Sequence, residues 1–218
     1  MIDRMLRGLR LAAMSAGVGT AAVLARMTSA RNARHSRVNP AEGSPLTFVS
    51  YSITPWDGVW QRPQQFATRF SALHPGIYVD PVGLQHALTK DTPPVLRDHS
   101  PTLSVFCPRV LPMGKTKSSI IDLNDALIIK HLDSLVRNKN LGVPVLIANT
   151  PLADTIATRY PWRAVAFDVI DDFTKWAWSP HDALERERRL FQRADTVFTG
   201  THALWQKKRH MHPETEFI

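Results

Sequence analysis

Residues 164–175, AVAFDVIDDFTK, decide the fold. The apolar run Ala164, Val165, Ala166 and Phe167 is broken only by Asp168 before Val169 and Ile170, the pattern of a buried strand, and it leads straight into Asp171 and Asp172. Three carboxylates are therefore expected to crowd one strand end. In an open parallel sheet, ligands bind in the crevice beyond the carboxyl ends of the strands, which puts these acids where chemistry is done. A helix cap or a turn accounts for one such carboxylate rather than three.

Outward from this stretch, strands and helices alternate. LTFVSY at 46–51 predicts a first strand, and the loop SITPWDGV leads to a helix over about 60–73 with Trp60, Pro63, Phe66, Ala67, Phe70 and Leu73 on one face. GIYVDP at 76–81 predicts a second strand, a polar, proline-containing excursion follows to about residue 100, and TLSVFCP at 102–108 predicts a third. The longest helix is expected over 119–138, where Ile120, Ile121, Leu123, Leu127, Ile128, Leu132, Leu135 and Val136 recur at helical spacing. VPVLIAN (143–149) predicts a strand, 151–160 a short helix, 180–193 a helix, DTVFTG (195–200) a strand and THALWQKKR (201–209) a helix. A further short strand opens at Thr215 to Ile218, so the chain is expected to stop partway through its fold. The alternation predicts an α/β protein, a three-layer Rossmann-like sandwich with a mainly parallel sheet and right-handed crossovers.

The 218 residues, 44% of them hydrophobic, are enough for one sizeable core. Of the net charge of +8, residues 1–45 hold +5, from seven arginines (4, 7, 10, 26, 31, 34 and 37) against Asp3 and Glu42, which leaves +3 for residues 46–218. The chain is therefore divided into a basic, small-residue-rich N-terminal arm and linker (1–45) and one folded domain (46–218). So modest a core charge argues against a nucleic-acid partner, whereas the arm suits an anionic membrane surface. Its apolar stretch LAAMSAGVGTAAVLA (11–25) is 15 residues long, short of the roughly 20 that span a bilayer. A basic start followed by such a stretch is also the form of a secretory signal, but the basic segment after it favours retention on the cytoplasmic side. Cys107 is the only cysteine, which excludes a disulfide framework and fits a reducing compartment. The expected location is the cytoplasm, with the arm at the inner face of the cell membrane.

Several motifs fail. Gly114, Lys115 and Thr116 look like the end of a P-loop, but its first glycine falls at position 109, which is Arg. No glycine-rich turn follows the first strand, the nine histidines lack ligand spacing, and no Gly-x-Ser-x-Gly elbow is present. Neither a cofactor nor a metal is expected.

The ordered set WQRPQQF (60–66), NTP (149–151), AFDVIDDF (166–173), LERERRLF (184–191) and ADTVFTGTHAL (194–204) resembles the N-terminal half of GT-B glycosyltransferases of the group 1 type, which build bacterial surface polysaccharides. The resemblance covers about residues 46–218. It implies two Rossmann-like domains, the first holding the acceptor and the second the nucleotide-sugar donor, with catalysis between them. Only the first is matched here, so the resemblance implies the acceptor-side half of a transferase whose donor domain is missing or separate. A non-catalytic sugar-binding or interaction module derived from a truncated transferase is the alternative.

A sugar or lipid-linked sugar acceptor presents many hydroxyls, so its site wants carboxylates, amides and an aromatic face. Trp60, Gln61, Arg62, Gln64 and Gln65 open the helix after the first strand, where backbone N–H groups favour an anion, and Arg62 is suited either to a phosphate or to an ion pair with a central Asp. Close carboxylates are not all cheaply ionised, so one of the three is expected to have a raised pKa and to act as general base; Asp171 and Asp172 are the candidates for ligand contact and catalysis, and Asp168 is the more structural. Trp176 and Trp178 suit either stacking or packing. Glu187 belongs to the matching stretch, although the Glu185 to Arg193 segment reads by default as a solvated ion-pair face. Thr199 and Thr201, around Gly200, form either a lip of the cleft or a helix cap.

Overall fold

The structure is a computed structural model and describes residues 45–80, 94–111 and 117–218. The arm, its linker through residue 44, and the Gly114 to Thr116 stretch lie outside the described residues.

In chain order the elements are β1 (Phe48–Tyr51), α1 (Arg62–Ser71), β2 (Gly76–Val79), β3 (Val95–Ser100), β4 (Leu103–Cys107), α2 (Ser118–Asn138) and β5 (Val145–Ala148). A 3-10 turn (Pro151–Ala153) then runs into α3 (Asp154–Arg159), followed by β6 (Val165–Val169) and a second such turn (Phe173–Lys175). The remainder is α4 (Ala183–Arg193), β7 (Thr196–Thr199), α5 (His202–Lys208) and β8 (Thr215–Phe217). The eight strands form one sheet in the order β3-β4-β2-β1-β5-β6-β7-β8, parallel throughout except for β3 against β4. The chain winds outward from β1 through β2 to β4, then returns to lay β5 on the other side of β1. The topological switch, where open sheets of this kind bind ligands, is therefore between β1 and β5. This is the expected Rossmann-like α/β architecture.

Strand residues alternate between two cores. Val49, Ile77, Leu146, Val165, Phe167 and Val197 pack with residues of α2, α3 and α4 such as Ile128, Leu132, Ile156 and Leu190. Phe48, Tyr78, Leu103, Val105 and Ile147 face the other way, against Trp56, Ala67, Phe66 and Phe70 of α1 and the loop before it. Burying each large apolar side chain contributes about 1.5–3 kcal/mol, and a parallel sheet needs such cover on both faces. At the start of β2 the backbone passes so close to Phe48 that a Cβ on Gly76 would sit 2.3 Å from the ring.

Three sequence expectations need correction. Residues 95–100, assigned to an irregular excursion, form β3: Val95 to His99 are exposed, so apolar patterning is absent and the antiparallel ladder to β4 holds the strand. Trp60 and Leu73 lie outside α1, and Leu73 is 77% exposed rather than part of a buried face. The α4 segment is not simply a solvated ion-pair face. Arg186 is 1% exposed and donates to Asp154 (2.7 Å), Asp122 (2.9 Å) and Asp182 (3.2 Å), and Glu187 is fully buried with both oxygens 2.7 Å from Lys208 Nζ of α5. Acids from α2, α3 and the α4 entrance meet one guanidinium, a compensation that a local reading of α4 does not reveal.

No helix among the described residues is long and apolar enough to cross a membrane.

Candidate functional site

A cleft of ≈ 320 Å³ opens beyond the carboxyl ends of β1, β6 and β7 and is closed on one side by the start of α1. The loop after β1 supplies Thr54, the loop after β6 Asp171, the loop after β7 Thr201, and the α1 N-cap and first residue Gln61 and Arg62; Trp176 and Trp178 complete the wall. The acidic strand end and the helix that follows the first strand therefore share one rim.

The α1 start is built around Gln64. This residue is fully buried; its Oε1 accepts from the Gln61 backbone N–H (3.1 Å), and its Nε2 donates to the carbonyls of Pro55 (2.9 Å) and Val59 (3.3 Å). Pro63 in the first turn needs no amide partner there. Gln64 is thus committed to shaping the loop. Trp60 is half exposed and leans edge-on against Trp56, with centroids 5.5 Å apart, outside the cleft lining. Gln65 is exposed, accepts from Arg69 (3.1 Å), and lines a separate groove on α1.

Arg62 is held from below. Its Nε donates to both Asp168 oxygens at 3.0 Å, and Asp168 also accepts from Asn149 Nδ2 (3.2 Å), whose Oδ1 accepts from Ser50 (3.3 Å). This polar string crosses β1, β5 and β6 under the cleft floor. Burial pushes the Asp168 carboxyl above its ordinary range, against the opposing pull of Arg62 and Asn149. Of the two readings of Arg62, the ion pair to a central Asp is the one the structure contains, and Asp168 positions the guanidinium. Nη1 reaches the Ile218 carbonyl at 3.4 Å, and Nη2 is buried with no partner among the described residues.

The three aspartates do not crowd together. Asp168 points from within β6 toward α1. Asp171 is exposed, lines the cleft, and accepts the Asp172 backbone N–H at 2.7 Å. Asp172 turns to α5, with Lys207 Nζ at 2.5 Å and Lys208 Nζ at 3.7 Å. Partial burial alone would raise its carboxyl, but the two lysines outweigh that and hold it below the usual carboxylate range. The expected raised pKa thus falls on Asp168, through burial, and Asp172 moves the opposite way because two cations face it.

Of the other candidates, Thr201 lines the cleft while its hydroxyl caps α5 by accepting from Leu204 N–H (3.2 Å). Thr199 is fully buried and donates to the Glu216 carbonyl (3.3 Å), and Glu187 is locked to Lys208, so neither lines the cleft. Trp176 and Trp178 lie 4.9 Å apart, centroid to centroid, both against Phe173. Gly200 lines the cleft beside Thr201, and Ile53, Thr54, Pro55 and Ile170, which carried no sequence signal as site residues, line it too. Only their position marks them: each follows the end of a parallel strand.

The sequence matches no protein-family model and no curated protein. In fold it is similar to a solved structure of sucrose-phosphate synthase from Thermosynechococcus elongatus, with a TM-score of 0.51 and 12% identity over 79% of this chain and 87% of that one. The likeness shows the fold, a Rossmann-like α/β domain.

Proposed function

We propose that the cleft binds a sugar acceptor and that the chain is the acceptor-side lobe of a glycosyltransferase. The observation that carries this reading is the lining: a carboxylate, an amide, a guanidinium, hydroxyls and two indoles around one cleft. Sugar hydroxyls pair with carboxylates and amides, and the apolar face of a pyranose ring stacks on an aromatic surface. Asp171 takes the proton of the attacking acceptor hydroxyl, Gln61 and Thr201 hold neighbouring hydroxyls, and Arg62 receives an anionic group. Asp172, engaged by Lys207 and Lys208, supports the loop instead. The nucleotide-sugar donor comes from a second Rossmann-like lobe, and the basic arm brings the protein to an anionic membrane surface.

The name of the similar structure, a synthase of a sugar phosphate, suggests the probe. Titration with glucose and with glucose 6-phosphate, followed by the fluorescence of the cleft tryptophans, is expected to saturate, with the phosphate ester binding tighter. Asp171→Asn is expected to abolish the response and to leave the melting temperature nearly unchanged, since the side chain is exposed. A silent titration with both sugars, or a large fall in melting temperature with binding intact, overturns the reading. Supplying a donor lobe from an adjacent reading frame separates transferase from sugar-binding module: turnover of a nucleotide-sugar marks the first, binding without turnover the second.

A further inference from the structure

We propose that the cleft selects a sugar that carries a methyl group, as a 6-deoxy, N-acetyl or O-methyl substituent, and that a small apolar cavity adjoining the cleft takes that methyl. The proposal rests on the sugar-acceptor reading of the cleft and names the class of sugar. The cavity measures ≈ 10 Å³, and Asn149, Pro151, Phe167, Val169 and Phe173 line it outside the cleft. It shares Ile53, Ile170, Asp171 and Trp176 with the cleft, so the two spaces meet along those residues.

Its place follows from the sheet. Ile53 comes after β1, Asn149 and Pro151 come after β5, and Phe167 and Val169 belong to β6, so the cavity lies at the carboxyl ends of three neighbouring strands, over the topological switch. The Trp176 ring stands 5.2 Å from that of Phe173 and 4.9 Å from that of Trp178, centroid to centroid, so one indole bounds both spaces. The chemistry of the lining differs from that of the cleft. Seven of its nine residues are apolar or aromatic, and only Asn149 and Asp171 are polar. Asn149 has both ends of its amide engaged, with Nδ2 donating to Asp168 (3.2 Å) and Oδ1 accepting from Ser50 (3.3 Å). The room is about that of one water-sized or methyl-sized group, but a water held there needs two to four polar partners, and a buried hydroxyl without them is costly. A methyl group needs none. A sugar whose hydroxyls meet Gln61, Asp171 and Thr201 in the cleft thus gains by turning a methyl toward Phe167 and Val169.

Tryptophan fluorescence titration of the full chain with three matched pairs of sugars tests this: glucose against 6-deoxyglucose, N-formylglucosamine against N-acetylglucosamine, and glucose against methyl glucoside. The methyl-bearing member of one pair is expected to bind about fourfold tighter or more, the effect of taking one methyl group out of water, and the pair that shows it identifies the substituent. Two substitutions outside the cleft lining locate the effect. Val169→Ile, which adds one carbon to the cavity wall, is expected to erase the preference and leave the glucose titration unchanged. Phe173→Leu, which widens the cavity, is expected to move the preference to the homologue one carbon longer, such as N-propionylglucosamine or ethyl glucoside. Equal binding within all three pairs overturns the proposal, and so does a methyl preference that persists in either variant. If glucose saturates and no methyl-bearing sugar binds tighter, the cavity proposal falls and the cleft reading stands; if none of the sugars binds, both fall.

Discussion

Arg62 and Asp168, 106 residues apart in sequence, meet with the guanidinium Nε 3.0 Å from both carboxylate oxygens. The pair ties the first turn of α1 to the central strand and sets the height of the cleft floor. Asp168 is nearly buried while Arg62 remains one-third exposed, so the acid depends on the base more than the reverse.

Removing the base is therefore expected to destabilise the fold. Arg62→Ala leaves the Asp168 carboxylate with only Asn149, at a loss of about 2–4 kcal/mol by urea denaturation. Adding Asp168→Asn to that variant is expected to recover at least half of the loss, because the orphaned charge is gone. No recovery in the double variant would mean that the stability comes from packing of the Arg62 stem instead.

Asp125 sets an alkaline slope. Its Oδ1 accepts from Tyr51 (3.2 Å) and its Oδ2 is buried without a hydrogen-bond partner among the described residues; burial first, then the Asp154 charge, raises its carboxyl well above the ordinary range. The folded state thus keeps a proton that the unfolded chain releases above about pH 4, so stability falls as pH rises from there, by up to ~1.4 kcal/mol per unit. Asp125→Asn is expected to flatten that slope between pH 4 and neutrality in denaturation curves taken at each pH. An unchanged slope would show that Asp125 is ionised in the fold.

Asp172 acts with the opposite sign. Lys207 and Lys208 overcome its partial burial and keep its folded pKa below the unfolded one, so its contribution is present above about pH 4 and lost as pH falls through the folded value. Asp172→Asn is expected to lower stability at pH 7 by less than about 1 kcal/mol, with the difference from the parent protein vanishing toward pH 2. A difference that grows on acidification contradicts the assignment.

Arg186 is the costliest charge to remove. Truncation to Ala removes the buried guanidinium that joins Asp122, Asp154 and Asp182, leaves Asp154 with Arg189 as its cation, and is expected to destabilise by about 3–5 kcal/mol. Arg186→Lys is expected to recover little, because an ammonium lacks the planar fork that reaches three acids at once. Full recovery by Lys in thermal melts refutes this account.

Gly76→Ala is expected to cost about 1–3 kcal/mol, because the added methyl meets the Phe48 ring at 2.3 Å. The double variant with Phe48→Leu is expected to be less destabilised than the sum of the single changes, which denaturation midpoints will show.

Much of the architecture was legible because its signals are local. The apolar continuity of AVAFDVI, the helical spacing from Ile120 to Val136 and the strand beginning at Thr215 each appear where the residues predict. Strand β3 was not legible, since VLRDHS is held by main-chain bonds to β4 and carries no buried face. At the cleft, Gln61, Arg62, Asp171 and Thr201 come together as their positions at strand and helix ends imply. Gln64, Thr199 and Glu187 do not, because each is buried by partners from elsewhere in the chain or the preceding loop.

The sequence by itself determined the α/β alternation and the edge of the sheet at which the cleft opens, because hydrophobic periodicity and strand direction are properties of short segments. Only the tertiary structure decided which aspartate faces the cleft, which one seats Arg62 and which one answers Lys207. Those roles follow from the neighbours that the order β1-β5-β6-β7 brings together, and a carboxylate's environment is set by partners that can lie a hundred residues away.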